Sequence, residues 1–404
     1  MSGQSTHPKS EALWTDETVH NFTSLLGISL DAINFWPPLY ISSIFGKPLS
    51  WLPLNHYSEY TLLSPWRPAR AVSTLLDVSI PALPVNPPLF WPPFLDGLFF
   101  RPTLVLHRPD HNQDYTTFPE EAWFFINGMM TNDSVAQLNA AYLSDLFHRP
   151  VTILQNTTQG FVIDLAECAF GKVWKGEWRD LKEASAKTFP PIYDALKSQD
   201  KKKVVVIAHS QGTIIISVVL GMLKAITRRA APVPAAPEMA EEAFALGAPA
   251  TPEFIFPYEG ILEPDDFDPL SASELAKLEI YCFANCADSM TYYQNPGPTG
   301  KPVPWIENFG NEYDLVARLG MLAPNAQNRR IKIDGAIYMK RKAWGHLLNE
   351  HYLKGIDREQ RIRLKKGGQG RKPVAPFIQV YPDPRLGLQT PRLYAYINGG
   401  TSEI

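Results

Sequence analysis

Ser210 stands in Ala208-His209-Ser210-Gln211-Gly212, directly after the run Lys203-Val204-Val205-Val206-Ile207. A serine hydroxyl is a poor nucleophile at neutral pH. It needs a base to take its proton and a third group to orient that base. The branched apolar run before it reads as a fully buried strand, and Thr213-Ile214-Ile215-Ile216-Ser217-Val218-Val219-Leu220 after it reads as a buried helix. Strand, sharp turn, serine, helix is the context that gives a G-x-S-x-G-like pentapeptide chemical meaning. Such a turn presents the hydroxyl at the carboxyl end of a sheet. The small residues two before and two after the serine let strand and helix approach closely. The competing explanation is an ordinary buried turn serine.

In this setting the pentapeptide resembles the α/β-hydrolase superfamily, in particular its lipase-like and esterase-like serine hydrolases. It departs from the pattern at Ala208, where a methyl group replaces a glycine hydrogen. The resemblance implies a chain order of Ser, then Asp or Glu, then His. The base then follows the last strand. His346, in Gly345-His346 after the candidate strand Ile333–Lys340, is the favoured base, and His351 is its near rival. Five residues apart on a helix, the two histidines face different directions and do not act together. His209 is expected to point away from the serine beside it.

The acid is expected after the penultimate strand, where the chain reads Asn311-Glu312-Tyr313-Asp314-Leu315-Val316-Ala317. This segment resembles the acid-bearing segment of lipase-like hydrolases and makes Asp314 the first choice. Glu312 is adjacent, and Asp288 is the alternative acid. Each of these carboxylates can equally be a helix N-cap. The resemblance also implies an oxyanion hole of two backbone N–H groups, at Gln211 and Met129. Asn127-Gly128 stands where many superfamily members have His-Gly, and its glycine lets the backbone turn its N–H groups inward. Asn156, in Asn156-Thr157-Thr158-Gln159-Gly160, is expected to line the substrate pocket with Asn127 and Gly128, though a solvated turn explains it as easily.

These groups need a scaffold. From about residue 101 candidate strands (Thr103–Leu106, Ala122–Ile126, Val151–Leu154, Lys203–Ile207, Leu278–Phe283, Val303–Glu307, Ile333–Lys340) alternate with candidate helices (Ser134–Phe147, Ala184–Ser198, Gln211–Thr227, Glu312–Leu322). Alternation of this kind predicts an α/β fold, a mostly parallel central sheet with helices on both faces. The α/β-hydrolase domain implied by the resemblance spans about 101–355. Residues 228–275 interrupt the rhythm with an Ala/Pro-rich stretch, an insertion that forms either part of a lid or a solvated loop.

Residues 1–100 form an N-terminal Pro/Trp-rich extension with one candidate helix over 16–34 and many Trp-Pro and Pro-Pro steps. The extension either wraps the main domain or offers a lipid-facing or substrate-facing surface. Residues 356–404 hold the rest of a basic stretch that begins at Lys354, followed by a tail expected to be irregular. The basic stretch is a solvated surface or an attractor of anionic lipid.

A chain of 404 residues can bury a large core. Its net charge of −3 points to no nucleic-acid partner. Three cysteines offer no disulfide pattern: Cys282 and Cys286, four residues apart on a strand, are about 13 Å apart. This usage suits a reducing compartment, and the polar first eleven residues show no signal peptide, so the expected location is cytoplasmic. No H-E-x-x-H, phosphate-binding loop or dinucleotide fingerprint occurs, so neither a metal nor an organic cofactor is expected. The resemblance implies a serine hydrolase acting on a carboxylic ester, with peripheral membrane contact open and the oligomeric state undetermined. A hydrophobic or lipidic ester is favoured by the apolar extension. The same residues would serve a thioesterase, an amidase or an acyltransferase. An alternative of another class is a non-catalytic hydrolase-like binding scaffold.

Overall fold

The structure is a computed structural model that describes residues 57–59, 104–107, 115, 117–128, 131, 133–156, 179–230, 266–291, 302–323, 331–357, 377–381 and 389–402. The candidate helix over 16–34, Met129, Cys168, most of the 228–275 insertion and most of the basic stretch lie outside these residues.

The main sheet is built from β1 (Leu104–His107), β2 (Glu121–Ile126), β3 (Val151–Asn156), β4 (Lys203–His209), β5 (Leu278–Phe283), β7 (Trp305–Asn311), β9 (Ala336–Lys340) and β10 (Ile378–Tyr381). Their order across the sheet is β1-β3-β2-β4-β5-β7-β9-β10. The six inner strands run parallel, and β1 and β10 close the two edges antiparallel. A small second sheet pairs β6 (Ser289–Met290) with β8 (Lys332–Ile333). The chain is thus an α/β protein with a mostly parallel sheet, as expected.

The apolar runs give strands buried on both faces because helices cover both. All seven residues of β4 are buried, as are all six of β5. Side chains alternate along β4. Val205 and Ile207 join a core containing Leu143 and Phe147 of α1 (Asp133–Phe147) together with Tyr352 and Tyr396. Val204, Val206 and Ala208 join a second core containing Phe189 and Ile192 of α2 (Arg179–Lys197) and Ile215, Val219 and Leu223 of α3 (Gly212–Ala230). The insertion begins as the last turn of α3. It ends near a short α4 (Ala272–Leu275), whose capping box pairs Ser271 with Glu274.

Four sequence readings change. The strand expected over Val303–Glu307 is β7 and runs from Trp305 to Asn311. The polar residues past Glu307 are buried with partners: Asn308 Oδ1 accepts from Asn285 Nδ2 at 2.8 Å, and the Asn311 amide donates to the Tyr352 phenol oxygen at 3.2 Å. The helix expected over Glu312–Leu322 is only α5 (Leu315–Leu319), because β7 uses the chain up to Asn311 and Gly320 packs too close to the Asn285 backbone for a side chain. The strand expected over Ile333–Lys340 is two strands in different sheets, broken at Gly335 with φ +89°. The tail read as irregular supplies β10 and a 3₁₀ segment, Arg392–Gly399, whose Leu393 and Tyr396 are buried in the first core.

Candidate functional site

Ile126 on β2, Ala208 on β4, Cys282 on β5, Asn308 on β7 and Ile337 on β9 lie in one row across the sheet. The segments just beyond this row leave the sheet along its carboxyl edge. They carry Asn127-Gly128, Ser210, Asp314 and His346, separated in sequence by up to 219 positions.

Ser210 sits at the turn between β4 and α3 with φ +57°, a conformation that costs a non-glycine residue about 1–3 kcal/mol and must be held by its surroundings. Its N–H donates to the Phe283 carbonyl at 2.9 Å, and its own carbonyl accepts from the Thr213 amide at 2.9 Å and the Thr213 hydroxyl at 2.6 Å. Gln211, also buried, opens α3, its carbonyl accepting from the Ile214 and Ile215 amides. The end of β2 crowds this turn. A Cβ on Gly128 would lie 2.4 Å from Ser210 Cβ, and one on Gly212 would lie 2.5 Å from the Ile126 carbonyl oxygen. Close backbone approach therefore requires glycine at 212, two residues after the serine, and at 128, across from it.

His346 Nε2 lies 2.9 Å from Ser210 Oγ. On the other side of the ring, His346 Nδ1 lies 2.9 Å from Asp314 Oδ2 and 3.1 Å from Oδ1. An ionised carboxylate only accepts, so Nδ1 carries the proton and the bare Nε2 accepts from the serine hydroxyl. Asp314 is fully buried and takes two further donors: the Tyr352 phenol at 2.5 Å and the Val316 amide at 2.9 Å. The last bond makes Asp314 the N-cap of α5 as well.

Burial opposes charge on both partners. For Asp314 it is outweighed by the His346 charge and by hydrogen bonds from His346 and Tyr352, which hold the carboxyl below its ordinary range. For His346 burial is outweighed by the charge of Asp314 and the hydrogen bond to it, which raise the imidazole above its ordinary value. The two groups stabilise each other's charged forms.

The loop bearing His346 is reinforced by two more histidines. Nε2 of His209 lies 2.9 Å from the His346 carbonyl, so His209 donates there, and its ring packs on the His346 ring with centroids 4.6 Å apart. His209 is thus bonded to the backbone of the other histidine. His351 accepts the Leu347 amide on Nδ1 at 2.9 Å. Its ring lies against Gly345, where φ is +98° and a Cβ would come within 2.4 Å of the ring. Burial pushes both His209 and His351 down to about 3, so both stay neutral at ordinary pH.

Glu312 does not reach His346; its carboxylate accepts the Lys342 amide at 2.5 Å. Asp288 is exposed beyond β5, and its carbonyl accepts the Lys332 amide. Asn127 is fully buried, with its side-chain amide donating to the Gly128 carbonyl at 3.0 Å. Asn156 does not follow β3 but ends it, paired in register with Leu104 of the edge strand. That places it two strands from Ser210 on the same edge. Sequence reasoning missed Tyr352 and the buried Asn311, whose Nδ2 donates to the Gly345 carbonyl at 2.9 Å. Nothing in the local pattern marks either one, since their roles come from contacts across the fold. Among the described residues no group of three or more His, Cys, Asp or Glu is placed to hold a metal ion, and no helix is long and apolar enough to cross a membrane.

Fold and site together define an α/β protein with a serine, a histidine and an aspartate joined by hydrogen bonds at the carboxyl edge of its sheet. No family model matches the chain. No curated protein matches it either. A solved structure, the crystal structure of ESTFA in an Fe-lacking apo form, is similar over 60% of this chain and 70% of its own, with 11% sequence identity and a TM-score of 0.27. A likeness at that level decides neither fold family nor chemistry.

Proposed function

We propose that this chain is a serine hydrolase of the α/β-hydrolase type that cleaves a carboxylic ester. The observation that carries the reading is the unbroken path Ser210 Oγ, His346 Nε2, His346 Nδ1, Asp314 Oδ2, with both links at 2.9 Å and the serine at positive φ after a central strand. Buried serines in turns are common. A buried serine in a strained turn, bonded to a histidine that is bonded in turn to a capping aspartate, serves no evident packing purpose.

In this reading Ser210 Oγ attacks the acyl carbon while His346 Nε2 takes its proton. The carbonyl π electrons move to oxygen. The oxyanion is met by the N–H groups of Gln211 and Met129 and by the positive end of α3. Collapse of the tetrahedral intermediate breaks the C–O bond, and His346 returns the proton to the departing alkoxide. Water then repeats the sequence on the acyl-enzyme. Asp314 keeps the imidazole in the Nδ1–H tautomer and offsets the charge that forms on it. Asn127, Gly128 and Asn156 lie on the edge where the acyl group would enter. A hydrophobic or lipidic acyl chain fits the apolar N-terminal extension.

A fluorophosphonate probe tests the reading. Covalent labelling of the native chain that disappears in Ser210→Ala is the expected result. Absence of labelling in well-folded protein would reject it in favour of a binding scaffold.

A further inference from the structure

The peptide units around His346 are held one after another. The Gly345 carbonyl is bonded by Asn311, the His346 carbonyl by His209 and the Leu347 amide by His351. Next comes the π-helical turn Leu348–Leu353, whose N-cap residue, Leu347, supplies no side-chain cap. A π-helical turn is a rare geometry with weak support of its own. Its first amides are capped from the far end of the chain. The Asn349 amide donates to Glu59 Oε1 at 2.7 Å, and the Glu350 amide donates to Glu59 Oε2 at 3.0 Å.

The residues around Glu59 are anchored too. Asn349 Nδ2 donates to the Tyr57 carbonyl at 2.8 Å and to the Leu138 carbonyl of α1 at 3.1 Å. The Tyr57 ring stacks on Tyr142 of α1 at 5.0 Å. Glu59 itself is only 6% exposed. Burying a carboxylate is costly unless its oxygens are bonded. Here both oxygens are used, and both on the turn that follows the candidate base.

We propose that Glu59 is a positioning residue for His346: residues 57–59 clip the turn after the histidine and so hold Nε2 at bonding distance from Ser210. This rests on the reading of His346 as the base. Residues 57–59 then belong to the active-site scaffold. Glu59 touches no reacting atom; it acts only through the backbone at 349 and 350. Losing the clip lets the turn settle elsewhere, and small misplacements of a catalytic group lower rates by about ten- to a hundredfold.

The test is fluorophosphonate labelling of the full chain, followed in time at several probe concentrations. Glu59→Gln keeps the volume but places an NH₂ against one of the two backbone donors. The expected result is a limiting labelling rate about tenfold lower with the half-saturating probe concentration unchanged. A role confined to global stability would lower the labelled fraction and leave the rate of the folded fraction as in the wild type. That result, or wild-type labelling in full, overturns the proposal. Should Glu59→Gln not fold, hydrogen exchange on the wild type decides. Protected amides at Asn349 and Glu350 support the clip, and exchange at the rate of an open chain overturns it. A wild type that does not label at all removes the hydrolase reading, a failure distinct from that of the clip.

Discussion

Tyr352 donates its phenol proton to Asp314 Oδ2 at 2.5 Å and accepts the Asn311 amide at 3.2 Å. Burial and the adjacent carboxylate push the phenol well above its ordinary value, so it remains a donor. It takes up part of the charge that Asp314 would otherwise direct at His346.

Tyr352→Phe is therefore expected to raise the His346 value further, because the remaining carboxylate becomes a stronger base. The base must be neutral to act, so activity falls as pH drops through the His346 value, which already lies above the ordinary 6.5. The variant's acidic limb should move to higher pH. A labelling-rate profile from pH 5 to 9 checks this, and a limb that moves to lower pH contradicts it. The orphaned Asn311 amide should also cost about 1–3 kcal/mol of stability.

On the proposed reading Asp314 caps α5 and also orients His346, and different substitutions separate the two. Asparagine can still cap α5, so Asp314→Asn should keep stability within about 1 kcal/mol while activity falls by about 10⁴-fold through the wrong imidazole tautomer. Asp314→Ala should lose both. Urea midpoints beside labelling rates for the two variants distinguish these outcomes. Equal activity losses with equal stability losses would mean that capping is its whole role.

Gly128→Ala places a methyl 2.4 Å from Ser210 Cβ and 2.8 Å from the His209 carbonyl oxygen. Neither neighbour can rotate away, so the end of β2 and the serine turn must separate. Overpacking of this kind costs about 1–3 kcal/mol. Activity should fall more steeply than stability, since the displaced atoms include those around the hydroxyl. Thermal melts and labelling rates measured together would show it.

At the opposite end of the strands, Ser402 Oγ lies within 3.0 Å of Lys203 Nζ, Arg392 Nε and Tyr396 Oη. Glu279 binds the same group, through Tyr396 at 2.6 Å and Arg392 at 2.8 Å. Ser402→Ala leaves Arg392 Nε without its acceptor, while Lys203 keeps the Ser402 carbonyl and Tyr396 keeps Glu279, and should cost about 1 kcal/mol. Labelling of the folded variant should stay at the wild-type rate, because the cluster is at the far edge of the sheet. A lowered urea midpoint with unchanged labelling is the expected pair of results.

Burial pushes the Glu307 carboxyl up to about 7, against the lowering effect of the Arg392 and Leu393 amides, and pushes Glu59 to about 7 as well. A carboxyl whose folded value exceeds its unfolded value binds more protons when folded. Stability from these groups is greatest below about pH 4.5 and is lost as pH rises toward 7, by about 3 kcal/mol for each. Glu307→Gln should remove about half of that fall. Urea midpoints at pH 5, 6, 7 and 8 measure it, and an unchanged slope would speak against a neutral Glu307.

The sequence by itself determined the strand–turn–helix around Ser210. An uninterrupted apolar run can be stable only between two covered faces, and the small residues beside the serine mark a close backbone crossing. It also determined the α/β alternation, while His346 and Asp314 became candidates only through the chain order that the family resemblance implies. Strand limits escaped where burial depends on distant partners, as with Asn308 and Asn311, whose polarity locally resembles a loop. Tyr352, His209 and Glu59 escaped for the same reason. A phenol, an imidazole and a carboxylate look alike in sequence whether they face water or one another. Only the tertiary structure decided which of them meet, because the contacts that fix their roles join residues as many as 291 positions apart.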